Sequence, residues 1–595
     1  MSDEPKISWK ERIQKSFDLK LIALMQPYFK LYKWLLSFCI IAMLAADILA
    51  VSIPMLFEHA VDEYIIPKNL EGLASLVNIM ILIVIVSFIM RFTANFSIAF
   101  FGQKLLYELR LKVFNKALAL SNDYYDRVST GTTLTHITND VESVRQFVSS
   151  GVVSVFSSLT KVICILVAML YINFWLGLVT IICIPIFAIA TYWFKGRIRE
   201  GFRGVRKANS EINTQMVESL NGFRELTLFQ NRQASIERFD KNNVEYRDSY
   251  NDVVYAYAIY LPLIETITHI STLIILVISH FSMETSVSTG QIFAFFTLIN
   301  MFFRPLREIA EQFNIFQSAM AALERIKIIN DEKVSVESDI KNDSTLNKTQ
   351  AREITFNDVQ FHYKVDSPIL KSTNLSIRAK EKIALVGSTG AGKSTIIHLL
   401  NRLYDIQDGS IQIGGNDIQS YSLEDLRGMI ATIPQDVFMF TGSILDNIRL
   451  FDERITLEQV QDTINQLELS EFINGLPKGL DTYVQEGGSA LSNGEKQLIA
   501  FARAFVKNPG ILIFDEATAN VDSITEKRIE TALKILLENR TSIIIAHRLS
   551  TIQSVDRIFY LQHGQVLESG THEELYQLNG HYRKLYDMQA IALSY

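Results

Sequence analysis

The sequence predicts a multi-domain fold in which an all-α, six-helix transmembrane domain is followed by an α/β domain built around a phosphate-binding loop. Three observations predict it. Six apolar runs of bilayer length lie before residue 320, and short β-branched runs alternate with helical patterns after residue 350. Between one such run and a helical pattern stands Gly387-Ser388-Thr389-Gly390-Ala391-Gly392-Lys393-Ser394, a complete phosphate loop in the required context.

The apolar runs cover about 32–57, 73–101, 149–172, 175–194, 253–281 and 289–315. Each supplies the roughly 20 residues, at ~1.5 Å rise, that cross a hydrocarbon layer of ~30 Å. The connections near 58–72, 172–175 and 281–289 are short, whereas 102–147 and 195–250 are long, polar and rich in Lys and Arg. Lys195, Arg197, Arg199, Arg203, Arg206 and Lys207 follow the fourth run, so the positive-inside rule places that loop in the cytoplasm, and both chain ends with it. Helical period over 205–229 predicts that the long loops are helices continuing past the bilayer. Residues 17–34 mix Lys with apolar positions and predict an interfacial elbow helix, or simply an extension of the first span. No apolar stretch with a small-residue cleavage site precedes residue 20, so the first span is expected to direct insertion. The expected division is 1–31 for the cytoplasmic N-terminus with its elbow, 32–327 for the transmembrane domain, 328–352 for a polar linker and 353–595 for the α/β domain.

A formal net charge of -7 offers no basic face and excludes nucleic acid as the expected partner. Cys39, Cys164 and Cys183 lie in apolar stretches with no metal or disulfide spacing, and read as packing residues. Asp47, Lys161, Glu265, His269 and Arg304 fall at bilayer depth, where a charge costs at least ~2.5 kcal/mol, so they are expected to line a bundle interior or a wet substrate cavity. Glu265 and His269 are four apart and share a helical face; they either line the cavity or pair helices. Arg91 ends a long apolar run and reads as a snorkelling structural residue.

In the α/β half, Lys382–Val386 leads into the phosphate loop. The glycines let backbone N–H groups of Gly387, Ser388, Thr389, Gly390, Ala391 and Gly392 close on phosphate oxygens, and a helix starting at Lys393 adds its dipole. Lys393 neutralises the β and γ phosphates, and the Ser394 hydroxyl, beside Thr395, ligates Mg²⁺. Asp515 ends the apolar run Ile511–Phe514, where a carboxylate reaches the metal, and Glu516 is placed to polarise an attacking water. His547 follows another β-branched run, Ser542–Ile545, and is a candidate γ-phosphate contact.

These residues resemble the ATP-binding-cassette exporters, half-transporters with six spans and one nucleotide-binding domain. The resemblance covers nearly the whole chain and implies ATP and Mg²⁺ as cofactors. It further implies an adenine-stacking aromatic at Tyr363, a switch glutamine at Gln435 that also serves the metal, an aspartate loop at Asp522 and a switch histidine at His547. Leu491-Ser492-Asn493-Gly494-Glu495 matches the family signature, in which Ser492 and Gly494 would cap ATP bound by a second half-transporter. Glu486 matches an acidic residue touching coupling helices, which would lie near 126–135 and 220–229. The signature departs from LSGGQ at Asn493 and Glu495, and most resembles the B-type half of bacterial heterodimeric multidrug-resistance-like exporters. An unequal pair is therefore expected, with a homodimer as the alternative because Ser492 and Gly494 are unchanged. The resemblance implies ATP-driven export of small amphipathic or hydrophobic, drug-like compounds outward from the cytoplasm or inner leaflet of a bacterial cytoplasmic (inner) membrane. The alternatives are a lipid translocase, with Lys161 and Arg304 on an anionic headgroup, and an ATP-gated channel or regulatory subunit, against which the intact Glu516 argues. Six spans exclude a soluble ATPase.

Overall fold

The structure, a computed structural model, describes residues 25–281, 287–334, 346–364, 367–515, 522–546 and 552–593. Contacts divide the chain into two compact units, one of residues 1–117 and 131–331, the other of 118–130 and 332–595.

The first unit is all helical. Its principal helices are α1 (Lys33–His59), α2 (Leu70–Ala119), α3 (Thr130–Ile172, with π-helical turns at His136–Asp140 and Phe147–Val152), α4 (Phe174–Asn221), α5 (Arg232–Phe281) and α6 (Thr289–Asp331). A short helix, Gln26–Leu31, precedes α1 within the predicted elbow, whose residues before 25 lie outside the described ones. Helices α2 and α5 each run 50 residues, or ~75 Å at 1.5 Å per residue, more than twice the hydrocarbon thickness. Most of α2's apolar side chains, such as Ile85, Phe88, Phe92 and Phe96, are exposed, a face that only lipid or another apolar partner satisfies.

Five of the described helices are long and apolar enough to cross a membrane: those in Lys33–Ile65, Leu70–Ala119, Thr130–Ile172, Phe174–Asn221 and Arg232–Ser279. The sixth predicted span lies within α6, where Gln291, Asn300 and Arg304 dilute the apolar run. Helix α6 instead supplies the bundle core, with Phe295, Leu298, Ile299 and Phe302 fully buried. A helix enclosed by its neighbours needs fewer lipid-compatible residues than one at the rim. Helices α4 and α5 pack closely along their polar extensions. A Cβ on Gly201 would stand 2.6 Å from Val253, and one on Gly204 3.0 Å from Ser249.

The second unit is α/β. A six-stranded sheet has the order β12-β11-β3-β10-β9-β6. It comprises β3 (Lys382–Gly387), β6 (Ile430–Ile433), β9 (Ile511–Asp515), β10 (Thr541–Ile545), β11 (Arg557–Gln562) and β12 (Gln565–Gly570). All its pairings are parallel except β11 with β12. Burial on both faces accounts for the unbroken Ile, Leu and Val runs of β3, β9 and β10. A four-stranded antiparallel sheet has the order β2-β1-β4-β5, from β1 (Ile354–Lys364), β2 (Ser367–Ile377), β4 (Asp408–Ile413) and β5 (Asn416–Asp417). A two-stranded pair joins β7 (Gly442–Ser443) to β8 (Tyr483–Val484). One core, including Phe356, Leu385, Ile396 and Ile513, joins the antiparallel sheet to the parallel one. A second, around Phe501, Phe514 and Leu498, packs helices on the other face.

Candidate nucleotide site and membrane cavity

Parallel strands gather their C-terminal ends at one edge of a sheet, and ligands of α/β folds bind there. In register, Ile545 of β10 pairs with both Asp515 of β9 and Leu385 of β3, while Ile433 of β6 pairs with Phe514. The phosphate loop, Asp515 and the loop carrying Gln435 therefore leave the sheet at one edge. Gln435 is exposed there, two residues beyond β6. Glu516 and His547, the expected base and switch, follow β9 and β10 but lie outside the described residues.

The phosphate loop turns from β3 into α7 (Lys393–Leu400). Gly390 and Gly392 hold φ of 82° and 104°, a left-handed backbone that disfavours any other residue, and no atom lies within 4 Å of where a Gly390 side chain would begin. Gly387 runs so close to β11 that a Cβ would stand 2.2 Å from the Leu561 carbonyl oxygen. Lys393 is buried, and its Nζ donates to the Gly387 and Ser388 carbonyls at 2.8 and 3.0 Å. Burial holds this ammonium below its ordinary range, opposed by the field of Asp515. It forms no ion pair among the described residues, so an open, amide-lined turn surrounds a buried cation. That arrangement fits a polyphosphate. Ser394 is exposed at the first turn of α7, and Thr395 is buried behind it. No cluster of three His, Cys, Asp or Glu forms among the described residues. The expected metal ligands Ser394, Gln435 and Asp515 include one carboxylate, which suits Mg²⁺, an ion that keeps waters and takes substrate phosphate oxygens.

Tyr363, near the end of β1, is 40% exposed, and its hydroxyl donates to Thr395 Oγ1 at 3.4 Å and lies 3.0 Å from His398 Nδ1, both on α7. The adenine-stacking candidate thus sits beside the phosphate helix. Sequence reading missed His398 and its neighbour Tyr404, which belong to no spaced motif.

The signature forms the N-terminus of α8 (Asn493–Phe505). Ser492 caps it: the Glu495 N–H donates to Ser492 Oγ at 3.2 Å and the Ser492 N–H donates to Glu495 Oε2 at 2.7 Å. The Glu495 carboxylate is therefore folded back on its own helix end, where the dipole favours it. Ser492 is exposed and Gly494 buried in the first turn. Asp522 caps α9 (Ser523–Leu536), accepting from the Ile524 and Thr525 N–H groups at 3.1 and 3.0 Å, and these bonds hold its carboxyl below the usual range. Glu486 is exposed in a short 3₁₀ turn.

In the first unit, Asp47 of α1 is buried and accepts from Ser157 at 2.7 Å. Arg91 lies 3.2 Å from it and Lys161 3.7 Å. Arg91 thus answers a buried carboxylate, where the sequence suggested snorkelling; the partner lies 44 positions away, on another helix. A cavity of about 300 Å³ opens among Asp47, Arg91, Asn95, Ser154, Lys161 and Glu308. Glu308 accepts from Ser158 at 2.9 Å and pairs with Arg304 at 3.3 Å, so Arg304, itself largely exposed, joins the group from its edge. Glu265 and His269 are exposed on α5, form no ion pair with each other and do not line this cavity. Cys39 is buried and unbridged, as is the half-buried Cys164; the Cys183 side chain is outside the described set.

A long-helix membrane unit joined to a phosphate-loop ATPase with a signature helix defines an ATP-driven membrane transporter. Residues 36–306 match the ABC transporter transmembrane region family and 370–519 the ABC transporter family. The chain belongs to the ABC transporters, its membrane-length apolar helices and ATP-hydrolysing domain being consistent with an inner-membrane topology. It is 33% identical to the uncharacterized ABC transporter ATP-binding protein YknV of Bacillus subtilis, over 97% of this chain and 96% of that one. It is 34% identical to YknU of the same organism, over 95% and 96%. The ATP-dependent lipid A-core flippase of Yersinia pestis is 33% identical, over 84% of this chain and 85% of the flippase.

Proposed function

We propose that this chain is one half of an ATP-driven translocase moving an amphipathic lipid with an anionic headgroup, paired with a second copy of itself. One observation carries the substrate class: the membrane unit holds a serine-lined cavity in which Arg91 and Lys161 face the buried Asp47, beside Glu308, which pairs with Arg304. Asp47 is the internal counter-ion, and Lys161, the looser of its two partners, is the cation a headgroup phosphate draws away. The likeness to a lipid A-core flippase supports this reading.

In the nucleotide unit, Tyr363 stacks on adenine, and the phosphate loop with Lys393 holds the phosphates. Ser394, Asp515 and Gln435 hold Mg²⁺, and Glu516 orients the water with His547 on the γ-phosphate. Ser492 and Gly494 close on ATP held by the second copy, whose Asp522 loop meets this one. The expectation of an unlike, A-type partner rests on Glu495. The capping box gives that carboxylate a local role that glutamine fills equally well, so the signature remains competent in a homodimer.

A specific feature favours drug-like cargo instead: an almost wholly apolar pocket of about 270 Å³ among Ile275, Leu276, Ile292, Phe293, Phe296 and Ile299. Purified protein in lipid nanodiscs separates the readings. Anionic lipid is expected to stimulate ATPase activity without competition from hydrophobic cationic dyes. Stimulation by dyes alone would transfer the assignment to the apolar pocket, and a native mass containing two chain species would end the homodimer reading.

A further inference from the structure

Each carboxylate at the membrane cavity is held at both oxygens. Asp47 of α1 meets Arg91 at 3.2 Å and Lys161 at 3.7 Å through Oδ1, and accepts from Ser157 at 2.7 Å through Oδ2. Glu308 of α6 accepts from Ser158 at 2.9 Å through Oε2 and pairs with Arg304 at 3.3 Å through Oε1. The other cation on α3, Arg145, reaches Ser149 of the lining but pairs with Glu142, so it adds no net charge. Among the described residues, the cations Arg91, Lys161 and Arg304 therefore face the carboxylates Asp47 and Glu308, and the cavity is left with a single positive charge.

At bilayer depth that residual charge selects its partner. A headgroup of one negative charge leaves the cavity neutral. A dianion leaves an excess negative charge beside Glu308, and a zwitterion leaves the cation unanswered. Among phosphate headgroups, a diester carries one negative charge, whereas a monoester carries ~1.5 to 2 at neutral pH. Glu308 has no proton to donate to a phosphate and both its oxygens are occupied, so it acts on the headgroup by repulsion.

We propose that the cavity selects lipids whose headgroup is a phosphodiester of one net negative charge, and that Glu308 is the specificity-determining residue that turns phosphomonoesters away. This rests on the reading of the cavity as the headgroup site. The test uses the full chain in phosphatidylcholine nanodiscs titrated with phosphatidylglycerol, a diester, or with phosphatidic acid, a monoester close to doubly charged at pH ~8. The readout is the ratio of the two half-stimulating lipid fractions for ATPase activity. The wild type is expected to favour phosphatidylglycerol about ten-fold, the effect of one unmatched charge. Glu308→Gln keeps an acceptor for Ser158 and adds one positive charge, so the order should invert in favour of phosphatidic acid. Lys161→Met removes one positive charge and should abolish stimulation by both lipids. Combining the two substitutions restores the original count, with Arg304 released to meet the phosphate, and the preference for phosphatidylglycerol should return. A wild type that favours phosphatidic acid, a ratio unmoved by Glu308→Gln, or a double variant as unresponsive as Lys161→Met would overturn the charge selection and leave the anionic-lipid reading standing. Stimulation of the wild type by neither lipid would overturn both. Soluble glycerophosphoglycerol carries the same charge without acyl chains; it is expected to leave activity unchanged, and stimulation by it would overturn a lipid as the source of the headgroup.

Discussion

Asp47 and Lys393 are both buried charges, and the two units satisfy them differently. Asp47 is met by Arg91, Lys161 and Ser157, so its charge is balanced within the membrane unit. Lys393 is met by two carbonyl oxygens of its own loop, so its charge is solvated but not balanced. The difference follows from the surroundings. At bilayer depth an unbalanced charge is prohibitive, so a buried carboxylate there needs its own cations. At a water-facing sheet edge, a cation can wait for a polyanion on carbonyl dipoles alone.

The contrast can be broken at several points. The largest effect is expected at the sheet edge from Glu516→Gln, which should lower steady ATPase activity by about 10²-fold or more. Closure on ATP should persist, visible as trapped nucleotide, and full turnover would remove Glu516 from its role. In the membrane cavity, Arg91→Met should lower stability by about 3 kcal/mol, because it leaves a buried carboxylate with its looser cation; thermal unfolding in detergent measures this, and adding Asp47→Asn should recover most of it. Glu495→Gln sharpens the comparison from the other side, since both residues complete the capping box. ATPase activity should stay within about two-fold, and a large gain would revive the unlike-partner reading. The smallest effect concerns His398, whose imidazole is held below its usual value by burial against the fields of Asp126 and Asp515. The unfolded chain then takes the proton first, so stability is whole above pH ~6.5 and declines as the pH falls through the lowered folded value. His398→Asn should flatten that decline in acid melting curves.

The sequence made some of this legible and hid the rest for physical reasons. Local motifs carried the nucleotide edge, because a phosphate loop must be contiguous and each strand announces its own end; hence Gly387–Ser394 and Asp515 were readable, and Gln435 by resemblance. The six apolar runs were readable by length. The sixth also carries the bundle core, so its Gln291, Asn300 and Arg304 weaken a signal that depends on lipid exposure. Pairings between distant helices left no trace in spacing. Arg91 finds Asp47 and Tyr404 finds Asp126 only in three dimensions, and the latter pair spans 278 positions. Glu495 misled in the opposite way: read as a free charge it signals a weakened site, and folded back as a cap it signals an ordinary helix start.

The near-contact of α4 with α5 at Gly201 and Gly204 has a mechanical consequence. Two slender rods bolted side by side resist bending far more than either alone, and the bolts sit on the polar extensions rather than among the lipid-depth residues. A push on the exposed tip at Phe223–Leu228 therefore meets a single stiff beam. It arrives at the far end as a swing of the whole pair, with little of the stroke lost to flexing on the way.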